Sequence, residues 1–492
     1  MKFHFRLIYL LLVGNVLLRF FTNSGLLPRV LNLWDVGITL AIGVVWLFSP
    51  SEQDVSVVRI RRRLLIFNVV LLAGALFNSR YFYFPAAMSQ VIMLIEPILL
   101  FIAVVQLPVN LIHVVRFSAI LRKLIVFELV FGMFQFPIYL YTGNSEAIVG
   151  TFYGNAEQYT GFLLLGVCYY LGQVEADASR KPTHKFLILM MLSLMPFVDN
   201  KASWVGVIVA LFVLMTKLGA LKGTRMKYIL AFTALIIVGA LAATVSSGTL
   251  SKFSGLSEAF ETGNIANLGK VKAYQDILTA FEDNPYMAII GAGPGTFYSR
   301  AAQQFYLIND DLYSNPRVSE WLRKLPTRTS NSMGGVIDPT SSVEPYYKRF
   351  FVEQKIFSVG TAQVDTPFSS YAGLLGETGI IGFIIYVSLY VHIYRRLCGY
   401  LARYRNDPNI SALITASLGF LVYTATVSIY NPWLETGRMT TILWGAIAVI
   451  CLYVERLQNG KNKATAAPDW STSTASDRTK HRYRAPTTVP QS

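Results

Sequence analysis

Lys201 stands in "FVDNKASWVG" (197–206), a polar hinge so short that its ammonium must lie at the edge of the apolar runs on either side. A cation placed there either snorkels to water or holds an anion. Two further lysines, Lys270 and Lys272, introduce the run "AYQDILTAFED", in which Tyr274, Ile277, Leu278 and Phe281 recur at helical spacing. Asp365 and Glu377 lie in "QVDTPFSSYAGLLGETGIIGFIIYV" (363–387), one before an apolar run and the other inside its first turns. An ionisable group in such a run is costly to place in hydrocarbon, which makes it a functional candidate. Asp35, Glu96 and Glu128 qualify on the same ground; pairing with an arginine or capping a helix is the competing use of each. "GAGPGTF" (291–297) spaces Gly291, Gly293 and Gly295 as phosphate-wrapping loops do. It lacks the Lys-Ser/Thr of a phosphate loop, and Pro294 interrupts a dinucleotide fingerprint. An ordinary turn, or a backbone that approaches a neighbour closely, is what remains. Finally, "VGTFYGNAEQYTGFLL" (149–164) offers Thr151, Tyr153, Asn155, Gln158 and Tyr159, residues suited to a membrane interface.

Apolar helices must position these groups. The chain is 53% hydrophobic and 14% charged, with mean hydropathy +0.45; a soluble domain carries about 25% charged residues. Apolar runs of about 17–25 residues recur, each able to cross a bilayer as a helix. They show no period of two, which excludes a β-barrel. The expected fold is an all-α polytopic membrane protein with about twelve transmembrane helices and one large, partly helical outer loop. Spans are expected near 6–22, 30–49, 64–79, 86–107, 124–141, 159–175, 186–199, 203–218, 228–246, 373–393, 411–429 and 439–456. The regions are then 1–246 (nine spans), 247–372 (an extracytoplasmic loop with helical pattern at 267–283 and 341–358), 373–458 (three spans) and 459–492 (a disordered cytoplasmic tail). The N-terminal run lacks a small-x-small cleavage site and reads as a retained first helix.

The formal charge of +15 sits in hinges between apolar runs: Arg59 to Arg63, Arg116 to Lys123, Arg180 to Lys185, Lys217 to Lys227 and Arg395 to Arg405. That alternation is a topology signal, placing both termini in the cytoplasm, and it excludes a nucleic-acid partner. Cys168, Cys398 and Cys451 lie in or beside apolar segments as small hydrophobes, and the five histidines lack ligand spacing. Neither a metal nor a cofactor is expected.

Gly150-Thr-Phe-Tyr-Gly-Asn155, Asn200-Lys201-Ala-Ser203, Asn284-Pro285 through Phe297, and Leu374-Leu-Gly-Glu377-Thr-Gly-Ile-Ile-Gly382 follow one another in an order that resembles the O-antigen ligase and Wzy-type polysaccharide polymerase superfamily of bacterial envelope enzymes. The resemblance covers roughly residues 149–387. It implies a metal-independent glycosyltransferase of the bacterial inner membrane, acting at the outer face on a polyprenyl-diphosphate-linked glycan among membrane lipids and other polysaccharide assembly proteins. An acceptor hydroxyl attacks the anomeric carbon and polyprenyl diphosphate leaves. On this resemblance Lys201, Lys270 and Lys272 bind diphosphate, Asp365 is the base, and Glu377 orients a cation or shapes the site. Asn155, Tyr153, Tyr274 and Trp321 contact glycan, and Gly291, Gly293 and Gly295 let the loop pack over the cavity. Lys201 stands where the family carries arginine, a point charge in place of a two-pronged fork. Phe368 and Ser369 stand where ligases carry a His-Asn pair, which favours polymerisation of an exopolysaccharide or O-antigen-like repeat over ligation to another acceptor. A transporter or flippase of lipid-linked glycan is the rival from another class, and a non-catalytic assembly subunit is a third.

Overall fold

The computed structural model describes residues 2–28, 34–47, 55–77, 84–107, 111–142, 148–152, 155–176, 181–198, 201–218, 269–297, 299, 301 and 369–465. Among them the regular elements are all helical. They are α1 (Lys2–Asn23), α2 (Trp34–Leu47), α3 (Val55–Phe77), α4 (Phe84–Val105), α5 (Leu111–Thr142), α6 (Ala156–Ala176), α7 (Lys181–Leu194), α8 (Lys201–Lys217), α9 (Gly269–Asp283), α10 (Pro285–Ile290), α11 (Ser370–Tyr404), α12 (Pro408–Val427) and α13 (Gly437–Thr465). Three stretches, Ala86–Val105, Ser370–Tyr404 and Pro408–Val427, are long and apolar enough to cross a membrane, and shorter apolar helices accompany them. Large apolar side chains such as Leu65, Leu72 and Phe134 are exposed on α3 and α5, as a surface that meets lipid requires. The expected span at 228–246 and the helical pattern at 341–358 lie outside the described residues.

Two expectations are corrected. Arg59 to Arg63, Arg116 to Lys123 and Arg395 to Arg403 do not form hinges; they lie inside α3, α5 and α11. Arginine and lysine are good helix formers whose long stems carry charge to water, so a cationic cluster gives the chain no reason to break. The last helix also runs to Thr465, into the segment expected as a tail. The final turns of α13, from Val454 to Thr465, belong to a separate unit.

Within residues 1–453, α12 is the hub. It packs against α6, α8, α11 and α5, and from Ile410 to Leu421 every residue is buried. A helix that is apolar all round must be enclosed, and small residues let its neighbours close in. Gly172 of α6 lies against the backbone of Ser411 and Ala412, and Gly206 of α8 against Tyr423 and Val427.

α11 is not one rod. Gly379 has φ +63° and ψ −173°, outside the helical region. The rings of Tyr371 and Phe383 nevertheless stand 5.8 Å apart, where twelve residues of straight helix would separate them by about 18 Å. The short arm 370–378 therefore folds back toward the long arm 380–404, and Glu377 sits just before the pivot.

Candidate functional site

The glycine turn builds one wall. α10 ends at Gly291, whose φ of +76° is left-handed. A Cβ on Gly291 would overlap the Glu377 carbonyl, and one on Gly379 would overlap the Ile289 carbonyl and the Gly291 nitrogen. Two bare backbones thus press together, something only paired glycines permit. The contact is sealed by hydrogen bonds: Ala292 N–H donates to the Gly376 carbonyl at 2.8 Å and Gly293 N–H to the Glu377 carbonyl at 3.0 Å. Gly293 lies against Gly74 and Ala75 of α3, and Gly295 against Ala86 and Ala87 of α4. Of the two sequence readings, close approach describes this turn.

Glu377 is fully buried at the centre of that contact. The Phe297 N–H donates to its Oε1 at 3.2 Å, and the Gly295 backbone and the Ser299 hydroxyl lie beside the carboxyl. Its Oε2 is buried with no hydrogen-bond partner among the described residues. Glu435, in "NPWLETG" (431–437) between α12 and α13, is close enough to act on Glu377 electrostatically. Gln90, one turn beyond Ala86 and Ala87 on α4, is likewise buried, with both amide atoms unpartnered among the described residues. The sequence reading passes over Glu435 and Gln90. Glu435 was legible by the argument that selects Glu377, as an acid at the mouth of an apolar run.

The short arm of α11 is tied to the end of α12. Ser370 N–H donates to the Asn431 carbonyl and Tyr371 N–H to the Ser428 carbonyl, each at 3.2 Å. Ser369 Oγ donates to the Ile429 carbonyl at 2.8 Å and caps the arm by accepting from Ala372 N–H at 3.3 Å. Tyr274 of α9 reaches the same point, its hydroxyl donating to the Ile429 carbonyl at 3.1 Å and lying 3.2 Å from Ser369 Oγ. Burial raises the Tyr274 phenol above its ordinary range, against a smaller opposing effect of the Ser369 hydroxyl, so it remains a donor. The buried side of α9 is Ala273, Asp276, Ile277 and Ala280, while Leu278 is 58% exposed. That corrects the expected face, which was drawn on apolar residues alone: Asp276 faces inward.

The start of α6 joins this end. Asn431 Nδ2 donates to Glu157 Oε1 at 2.6 Å, and Asn155 Oδ1 caps α6 by accepting from Gln158 N–H at 2.9 Å. Thr151, Gln158 and Tyr159, expected at an interface, are buried. Glu128 of α5 explains why: its Oε2 accepts from Thr151 N–H at 2.9 Å, its Oε1 accepts from the Thr151 hydroxyl, and its backbone carbonyl accepts from the Tyr159 hydroxyl at 3.0 Å. Gln135, two turns on, holds both sides of the same turn, accepting from Gly150 N–H at 2.8 Å and donating to the Gly150 carbonyl at 2.9 Å. Of the other candidate acids, Glu96 is buried in α4, and the Asp35 side chain is not among those described.

α8 starts at Lys201, and Ser203 beside it accepts from the Tyr423 hydroxyl at 2.9 Å. Lys270 and Lys272 open α9, one turn before Tyr274. The backbones that carry the three lysines therefore start beside the last turns of α12, although their side chains are outside the described set. The N-termini of α6, α8 and α11 share this end, and each contributes partial positive charge. Tyr153, Trp321 and Asp365 lie outside the described residues. Among the described residues no His, Cys, Asp and Glu group could hold a metal ion. No protein-family model matches the chain, and no curated protein matches it either.

Proposed function

We propose that the protein is a glycosyltransferase of the bacterial inner membrane that polymerises polyprenyl-diphosphate-linked oligosaccharide repeats into an exopolysaccharide or O-antigen-like polymer. In this reading the twelve-span topology holds, both termini are cytoplasmic, and 247–372 is an outer loop. The reading is supported by one observation above all. The stretches that carry the resemblance, far apart in sequence, are joined in space: the start of α6, the start of α8 and the short arm of α11 meet at one end of α12, and the glycine turn is bonded to the other end of that short arm.

The chemistry follows from that arrangement. An acceptor hydroxyl attacks the anomeric carbon, the bond from that carbon to the diphosphate oxygen breaks, and the acceptor's proton passes to a base, assigned to Asp365. Lys201, Lys270 and Lys272, with the helix N-termini, neutralise the charge that develops on the departing diphosphate. Glu377, held rigidly with one free carboxyl oxygen, orients a cation or sugar hydroxyl toward the reacting centre. Tyr153, Asn155, Tyr274 and Trp321 position the glycan, and positioning supplies much of the rate.

Purified protein in vesicles, supplied with a labelled lipid-linked repeat on one side, tests the proposal. Elongated product on that side, with release of polyprenyl diphosphate, is expected. Movement of label across the bilayer without elongation refutes it in favour of a flippase, and product only on addition of a lipid-A-core acceptor replaces polymerase with ligase.

A further inference from the structure

The other end of α6 carries a different feature. An open-sided hollow of about 470 Å³ lies between α5, α6 and α7. Arg122 and Lys123 of α5, Tyr170 of α6 and Thr183 and His184 of α7 supply its polar lining, and Phe127 and Leu187 part of its apolar lining. We propose that this hollow binds the phosphate of an anionic glycerophospholipid.

The cations are set for an anion. Arg122 and Lys123 are adjacent on α5, and among the described residues neither pairs with a carboxylate. Arg122 lies near enough to Tyr169 and Tyr170 to act on their hydroxyls electrostatically. The Tyr169 hydroxyl is already engaged, 2.6 Å from Ser118 Oγ, and the His184 ring rests 5.3 Å from that of Tyr170. Thr183 is exposed at the mouth, where its hydroxyl can meet a second phosphate oxygen.

The apolar side decides between a lipid and a free ion. From Phe127 the exposed side chains continue along α5 through Val130 and Phe134, and beside Leu187 along α7 through Phe186 and Leu189. These lanes suit acyl chains, and inorganic phosphate has no use for them. The location agrees. Arg405, paired with Glu175 in the last turn of α6, belongs to this end, and cation-rich ends of membrane helices face the leaflet that holds anionic lipid.

The test uses the full-length protein in neutral detergent, with native mass spectrometry and thermal unfolding read in parallel. Phosphatidylglycerol is expected to form a saturable adduct and raise the unfolding midpoint, while phosphatidylcholine does neither. Arg122→Gln and Lys123→Gln are each expected to weaken phosphatidylglycerol binding about fivefold. Thr183→Asp alters an exposed position, leaves the packing intact and sets a negative charge at the mouth, so it should lose the adduct even if either glutamine variant does not fold. Equal binding of the two lipids, undiminished binding by Thr183→Asp, or an equal midpoint shift from inorganic phosphate alone would overturn the proposal.

Discussion

Two buried glutamates each hold a turn that arrives from elsewhere in the chain, and they do it differently. Glu128 has both carboxyl oxygens engaged by Thr151, and the turn at 149–152 is further clamped by Gln135. Glu377 receives Phe297 on one oxygen and keeps the other buried and, among the described residues, unpartnered. A saturated carboxyl is a structural clamp; one with spare capacity, held equally firmly by its backbone, is placed to act on something else. Burial and charge alone do not separate the two, and the hydrogen-bond inventory does.

The contrast can be broken in four ways. Gly291→Ala should have the largest effect, because the added Cβ meets the Glu377 backbone and φ is left-handed; about 3 kcal/mol or more of stability is expected to go. The unfolding midpoint in detergent reads this, and an unchanged midpoint would show that the two backbones are not in contact. Glu377→Gln should leave the midpoint near that of the parent, since the amide oxygen still accepts from Phe297. Polymer formation should fall on the order of 100-fold; parental activity would make Glu377 a second clamp. Glu128→Gln sharpens the contrast from the other side: the amide oxygen can still accept from the Thr151 N–H while its nitrogen donates to the Thr151 hydroxyl, which turns its proton to the Val16 carbonyl, so only the charge-assisted part of the clamp goes, about 1.5 kcal/mol of stability. Turnover per folded molecule should stay close to parental, and a selective loss of turnover would move Glu128 into the catalytic group. Tyr274→Phe is the mildest, removing a hydroxyl from the Ser369 and Ile429 junction for about 1 kcal/mol, visible as a small midpoint shift.

The same contrast marks what could be read in the sequence. Apolar runs foretold where helices form, and the cost of an acid in hydrocarbon pointed to Glu128 and Glu377 together. What separates them depends on partners distant in sequence: Thr151 for one, and a turn eighty residues upstream for the other. No local periodicity encodes such a meeting. The inward Asp276 of α9 was hidden for the same reason, because its burial contradicts its polarity until the neighbours are known. Helix ends were legible where Gly or Pro stands and illegible where arginines do, since charge changes solvation without removing a backbone hydrogen bond. Gly379 resembles any small residue in an apolar run, and its pivot becomes evident only once Gly291 is found against it.

That pivot also governs depth. The long arm 380–404, at 1.5 Å per residue, measures about 37 Å, already more than the hydrocarbon thickness. The stretch before Arg395 supplies about 22 Å of that, and because the short arm folds back, Glu377 lies at the pivot end of α11 rather than midway along it. A thicker or thinner membrane can be met by leaning the long arm, while the carboxyl keeps its station against the glycine turn.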